Sequence, residues 1–256
     1  MRIAAWNVNS IKMRLPHLQK WAQQTQPDVL LLQELKCETE AFPHLEIEAL
    51  GYRAAIAGQK AYNGVAVLSR LPCAVIRDRL PGDDADTQAR YLEVRIGDLT
   101  LASVYLPNGN PVDSEKFSYK LRWLERLEAH VRNLLASEQP FILGGDFNII
   151  PTDHDVYDPA GWTNDALYRP ESRAAWQRLL HLGLTDAFRA LHPDKKHAYT
   201  FWDYQQGAWQ QDHGLRIDHF LLSPEAADRL LECHIDRTPR GWDKASDHTP
   251  IIVQMS

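Results

Sequence analysis

Cysteine is scarce in the 256-residue chain: Cys37, Cys73 and Cys233 stand too far apart for a zinc-binding spacing or a disulfide framework, and they are expected to be reduced thiols. No apolar run approaches the ~20 residues needed to cross a bilayer. The opening Met1-Arg2-Ile3-Ala4-Ala5-Trp6-Asn7 enters a strand-like pattern directly, without the apolar core of a secretory signal. These absences predict a cytoplasmic protein without a membrane partner. Repeats and low-complexity tracts are lacking too, as are a nucleophile elbow, a Walker loop and a GxGxxG turn. With no supporting arrangement for a Ser, Cys or Lys nucleophile, direct attack by water is favoured. Nor is there an excess of positive charge: 34 acidic residues oppose 28 basic ones, giving a net charge of -6 at pH 7. That balance disfavours a nonspecific nucleic-acid coat protein. It leaves room for a metal-dependent nuclease, which concentrates carboxylates in its site and can hold substrate with local cations.

What the chain has is a large apolar complement, 44% of residues including eight tryptophans. No linker interrupts it, so a single domain over residues 1–256 is expected. Short β-like runs recur at residues 3–6, 28–33, 64–69, 91–96, 99–105, 140–145, 217–223 and 250–255. Val29-Leu30-Leu31-Leu32 and Phe141-Ile142-Leu143 are apolar on both faces, as strands covered on both sides must be. Between them lie amphipathic helical stretches. Leu15, Leu18, Trp21 and Ala22 repeat at helical spacing, with Pro16 in a first turn and Pro27 closing the segment. Phe117, Leu121, Leu124, Leu127, Val131 and Leu134 form one apolar stripe after Asp113-Ser114, and a third helix with Trp176, Leu179 and Leu180 ends at Gly183. The pattern predicts an α/β sandwich with sheets inside and helices outside. Residues 151–170, rich in Asp, Pro, Gly and Asn, read as a long irregular loop.

The candidate chemistry lies at strand ends. In Gly144-Gly145-Asp146-Phe147-Asn148 two polar side chains at i and i+2 project to one side of an extended backbone, and the glycines would let another backbone or a phosphate come close. Asn7 follows the first strand, Glu34 the second, and Ser246-Asp247-His248 precedes the last. Singly, each suits a cap, a turn or a solvated position. Together they can converge on one rim, where hard carboxylate and amide oxygens suit Mg²⁺, or Mn²⁺ in its place. Asp218 can fix the tautomer of His248. His219 is the rival partner, but strand alternation turns it away, so it takes a structural role. Tyr105, ending another strand, can offer its hydroxyl to a phosphoryl oxygen.

The motifs Trp6-Asn7-Val8-Asn9, Leu32-Gln33-Glu34-Leu35-Lys36, Tyr62-Asn63-Gly64-Val65-Ala66, Tyr105-Leu106-Pro107-Asn108-Gly109, Gly145-Asp146-Phe147-Asn148, Arg216-Ile217-Asp218 and Ser246-Asp247-His248 jointly resemble the exonuclease III family of DNA-repair nucleases, within the exonuclease/endonuclease/phosphatase superfamily. The resemblance runs through the whole chain in order. It implies a four-layer sandwich, two mixed β-sheets packed together and flanked by helices. It further implies a monomeric, Mg²⁺-dependent phosphodiesterase acting on double-stranded DNA at abasic sites or 3′ ends during base excision repair. Glu34 would be the main metal ligand, with Asn7, Asp146, Asn148 and Asp247 completing the set. Asp146 would activate the attacking water, Asn148 would stabilise the pentacovalent phosphate, and His248, Asp218 and Tyr105 would hold the scissile group. Arg90 matches a phosphate-contacting arginine. Phe201, Leu215 and Ile217 match the walls of an abasic-sugar pocket, and Trp202, in a stretch that resembles the DNA-repair branch, is a further DNA-binding candidate. Lys116 and Lys120, four apart on one helix, are further candidates for phosphate contact.

Overall fold

The two-sided apolar runs become the centres of two sheets. The computed structural model describes residues 1–256. Strands β1 (Arg2–Asn7), β2 (Val29–Gln33), β3 (Arg53–Ala57), β4 (Val65–Ser69), β5 (Ala74–Arg77) and β6 (Tyr91–Ile96) come first. Strands β7 (Leu99–Tyr105), β8 (Phe141–Asp146), β9 (Thr185–Asp186), β10 (Asp218–Leu222), β11 (Leu230–Ile235) and β12 (Ile251–Met255) follow. Helices α1 (Ile11–Thr25), α2 (His44–Ala49), α3 (Glu115–Leu135), α4 (Pro170–His181), α5 (Ala187–Leu191) and α6 (Pro224–Ala227) separate them. One sheet has the order β11-β12-β1-β2-β4-β3, the other β5-β6-β7-β8-β10-β9. Each is mixed, with one parallel pair, β1/β2 and β7/β8 respectively, and antiparallel pairing elsewhere.

Strand alternation divides the apolar residues between two surfaces. Ile3, Val29, Leu31 and Val67 face Leu92, Leu101, Ile142 and Phe220 in the core between the sheets. The intervening Ala4, Leu30, Leu32 and Ala66 turn outward onto Leu18, Trp21 and Ala22 of α1. On the other outer face, Trp123, Leu127 and Val131 of α3 and Trp176 of α4 cover Ala102, Phe141 and Leu143. The result is the expected four-layer sandwich. Each fully buried Leu or Val contributes roughly 1.5–3 kcal/mol of burial.

Four strands escape the sequence pattern, and all four are sheet edges: β3, β5, β9 and β11. An edge strand lacks a neighbour on one side, and β5 is exposed along its whole length, so neither continuous nor alternating hydrophobicity marks it. Helix α1 starts earlier than expected. Ser10 caps it, accepting from the Met13 amide at 3.4 Å, so Pro16 sits inside the helix, beyond its first turn.

The two glycines before Asp146 serve the first of their two expected purposes, the close approach of another part of the chain. A Cβ on Gly144 would lie 2.4 Å from Phe220 and 2.7 Å from Leu31, and one on Gly145 would lie 2.2 Å from the Val104 carbonyl oxygen. They let the sheets close on each other, and their space is filled by protein, leaving none for a phosphate.

Candidate active site

Parallel pairing brings the carboxyl ends of β1 and β2, and of β7 and β8, to one rim, while β10 and β12 start there. Asn7, Glu34, Tyr105, Asp146, Asp218 and His248 therefore meet although they are spread along the chain. Sheet register sharpens the meeting: Asp146 lies directly opposite Asp218 and beside Tyr105.

Glu34, Asp146 and His248 offer ligand atoms within 4.8 Å of one another. Asn7, fully buried, donates through Nδ2 to Glu34 Oε1 at 2.8 Å and to Asp146 Oδ2 at 3.0 Å. Its Oδ1 accepts from the Asn9 amide at 3.0 Å. Asn7 thus ties the two carboxylates of the cluster together, and its Oδ1 keeps a second lone pair. Asn148 donates its backbone amide to Asp146 Oδ1 at 2.9 Å and its side-chain amide to the Leu106 carbonyl at 2.9 Å, and its Oδ1 accepts from Asn108 at 3.2 Å. Its Oδ1 thus keeps one lone pair beside the bond from Asn108. One amide N–H is left for a substrate oxygen. Asp247 lines the same cavity but stands outside the tight cluster, with Oδ1 accepting from Asn9 at 3.0 Å.

His248 Nδ1 is 2.8 Å from Asp218 Oδ2, and Nε2 is 3.7 Å from Asp146 Oδ2. Since a carboxylate only accepts, Nδ1 carries a proton. Burial by itself would lower the imidazole pKa, but Asp218 and Asp146 outweigh burial and push it up to about 10. His248 is thus an imidazolium with Nε2–H turned into the cavity. Cationic, it suits an anionic oxygen and disfavours ligation of a metal ion. Burial raises Asp146 to about 7 against the pull of His248. Glu34 also resists burial: hydrogen bonding from Asn7 and the Lys36 ammonium, 3.0 Å from Oε2, hold its carboxyl below the ordinary value. Burial, then Glu34 and Asp146, keep the Tyr105 phenol protonated. A pair of hard carboxylates, Glu34 and Asp146, beside Asp247 fits a divalent cation that retains several waters.

The backbone is unusual here. Asn9, Glu34, Lys36 and Asn148 have φ of 44°, 53°, 53° and 48°. Left-handed conformations of this kind cost on the order of 1–3 kcal/mol each. They are held by bonds such as Ser10 N to Glu34 O at 2.8 Å and Lys36 N to Asn63 O at 2.9 Å. Asn9 and Lys36 are not singled out by the sequence reading. The i and i+2 alternation that marks Asp146 and Asn148 also links Asn7 with Asn9 and Glu34 with Lys36, and would have found both.

Phe201, Leu215 and Ile217 line one side of a cavity of about 340 Å³ whose other walls carry Glu34, Asp146 and His248. Phe201 meets the His248 ring edge to face, 5.0 Å between centroids. From the loop 151–170, Trp162 and Leu167 join the wall. Tyr168, next in the loop, is tied away from the cavity by its hydroxyl, which donates to Asp153 at 2.5 Å. Arg90 and Lys116 line an adjoining groove with Asn63, Gln88 and Asn108. Arg90 is braced by Gln88 at 2.7 Å and lies over the Tyr105 ring.

Two expected DNA contacts are corrected. Lys120 is fully buried, donating to the carbonyls of Asn148 at 2.6 Å and Asn108 at 3.0 Å, and burial lowers its pKa to about 7. It fastens two site loops and presents no charge to solvent. Trp202 is also fully buried, its indole donating to Asp212 at 3.0 Å, and cannot stack on a base.

Residues 4–248 match the model of the endonuclease/exonuclease/phosphatase family. The chain is 36% identical to exodeoxyribonuclease III of Haemophilus influenzae, with 99% of both proteins covered. It is 31% identical to DNA repair nuclease APEX1 of Danio rerio, covering 99% of this chain and 81% of that one. A 3′-5′ exonuclease from Neisseria meningitidis superposes with a TM-score of 0.97 at 38% identity, with 100% of both chains covered. An AP endonuclease from Archaeoglobus fulgidus does so with a TM-score of 0.95 at 34% identity, covering 100% of this chain and 99% of that one. The chain belongs to the endonuclease/exonuclease/phosphatase family, in its exonuclease III group.

Proposed function

We propose that the protein is a Mg²⁺-dependent hydrolase of DNA phosphoesters, acting as a cytoplasmic monomer on double-stranded DNA at abasic sites and blocked or recessed 3′ ends in base excision repair. The observation that carries this reading is the juxtaposition of the Glu34, Asp146 and His248 cluster with the apolar wall of Phe201, Leu215 and Ile217 in one cavity. A baseless sugar has lost its stacking and pairing, so it rotates out of a duplex at reduced cost and fits such a wall.

Glu34 and Asp146, with Asp247 beside them, would hold the cation, which when bound supplies charge neutralisation to the phosphate. Asp146, whose buried carboxyl has a raised proton affinity, accepts a proton from the attacking water. His248, charged and oriented by Asp218, donates Nε2–H to a phosphoryl oxygen as negative charge accumulates there. Asn148 and Tyr105 add hydrogen bonds to the same group, and Arg90 and Lys116 hold neighbouring phosphates along the groove.

Trp162 and Leu167 in the cavity wall favour a second reading, a dedicated 3′-end-trimming enzyme without internal incision. The test uses three duplexes: one with an internal abasic analogue, one with a 3′-phosphate and one with a recessed 3′-hydroxyl. Products from all three are expected with Mg²⁺ and none in excess chelator. End removal without internal incision establishes the second reading, and activity that survives chelation rejects the metal-dependent mechanism.

A further inference from the structure

We propose that the aromatic recess formed by Tyr157, Trp162 and His213 is a nucleobase subsite, receiving the unpaired base of a 3′-terminal nucleotide whose phosphodiester lies at Asp146 and His248. The recess opens beside the catalytic cavity and shares Trp162, Phe201, Asp203 and Leu215 with it. A group entering one is therefore contiguous with a group in the other, as a base is with its own sugar and phosphate. This inference rests on the hydrolytic reading of that cavity.

The chemistry of the recess selects its occupant. Its volume is about 190 Å³, the space of roughly six water molecules, which suits one heterocycle. His213 lies flat on Tyr157, with 4.4 Å between centroids and 8° between planes, and Trp162 meets Tyr157 edge to face at 6.5 Å. These contacts brace the aromatic walls before any ligand arrives. No Lys or Arg lines the recess, so a phosphate has no counter-charge there. Asp203, Gln205 and Gln206 stand at its exposed edge, where a carboxylate accepts from an exocyclic amino group and amides bond to ring nitrogens or carbonyls. A flat, neutral ligand with a polar rim is a nucleobase. An abasic sugar or a terminal phosphate would use the catalytic cavity and leave this recess alone.

The test compares two substrates of the full-length enzyme in Mg²⁺: a duplex with a mismatched 3′-terminal nucleotide and one with a 3′-phosphate. Tyr157→Ala and His213→Ala are expected to raise KM for removal of the mismatched nucleotide roughly 5-fold to 100-fold, the range of lost base stacking. Phosphate release should be unchanged in both variants. Equal kinetics on the nucleotide substrate, or equal loss on both substrates, would overturn the subsite. A second measurement needs no hydrolysis: a 3′-terminal 2-aminopurine, mismatched and bound in excess chelator, should be quenched by the wild-type protein and not by Tyr157→Ala. Absence of quenching overturns the subsite whatever the enzyme hydrolyses. Quenching without release of phosphate supports the subsite and counts against the hydrolytic reading alone.

Discussion

Two buried ionic clusters flank β10, and they treat the same residue types in opposite ways. At its start, Asp218 and Asp146 surround His248 and raise its pKa to about 10. One residue along, His219 is buried against Arg216, and burial followed by that guanidinium lowers its pKa to about 4. Arg216 Nη1 donates to His219 Nδ1 at 3.0 Å, and because arginine cannot accept, His219 must be neutral, with Nε2–H on the Ile149 carbonyl at 3.0 Å. The acids divide likewise. Burial raises Asp146, whereas Arg216 and Arg189 overcome burial at Asp155 and depress it far below the ordinary carboxylate value. Burial is common to all four, and at Asp146 and His219 it carries the shift. At His248 and Asp155 opposite charges overcome it. The Arg216 cluster is neutralised internally and links Asp155 in the loop, Asp186 at the head of α5 and β10. The His248 cluster is left with a cavity into which its proton donor and its carboxylates point.

The contrast predicts different failures. Asp146→Asn and His248→Ala should each lower kcat about 100-fold to 10,000-fold, with little change in the affinity for a noncleavable DNA analogue, because these contacts strengthen in the transition state. Proportional loss of binding and turnover in both would show that the cluster serves ground-state binding. Arg216→Ala should act on stability, costing about 3–5 kcal/mol by stranding Asp186 in the interior and leaving Asp155 with Arg189 alone. Chemical denaturation measures it, and an unchanged midpoint would mean that water replaces the guanidinium.

His219 gives a smaller, pH-dependent effect. Its folded pKa of about 4 lies below the ordinary 6.5, so its contribution is complete above pH 6.5 and is lost as pH falls toward 4. Complete loss amounts to roughly 3 kcal/mol. Unfolding curves between pH 7 and pH 4 should lose that part of their slope in His219→Gln, and identical slopes would place the origin elsewhere. The smallest effect concerns the groove beside the His248 cluster: removing Arg90 or Lys116 should reduce the salt dependence of DNA affinity by about one counterion each. Lys120→Met, by contrast, should leave that slope intact, since its ammonium never reaches solvent.

The sequence makes the central strands and the site acids legible for one shared reason. A strand buried on both faces must be apolar throughout, so a carboxylate at its end is conspicuous, as Glu34 is after Leu30-Leu31-Leu32 and Asp146 after Phe141-Ile142-Leu143. The edge strands carry no such constraint. Val75, Ile76 and Leu231 are exposed by 56%, 41% and 58%, so β5 and β11 look like surface. Lys120 fails for the opposite reason. A lysine on an amphipathic helix reads as solvated, and only the three-dimensional meeting of the Asn108 and Asn148 carbonyls shows where its charge goes. Trp162 was hidden in a loop whose path no periodicity records.

The order in which the site residues occur along the chain has a consequence for biosynthesis. Asn7 and Glu34 leave the ribosome early, Asp146 and Asp218 later, and Asp247 and His248 last of the group, immediately before β12, whose pairing with β1 seats them. Synthesis proceeds at about 5–20 residues per second. Until residues 247 and 248 are added, a growing chain holds Glu34, then Asp146 and Asp218, without the His248 imidazolium and without the β12 strand that pairs with β1. A chain halted before residue 247 therefore lacks the proton donor that the proposed mechanism requires, however complete its carboxylates Glu34, Asp146 and Asp218.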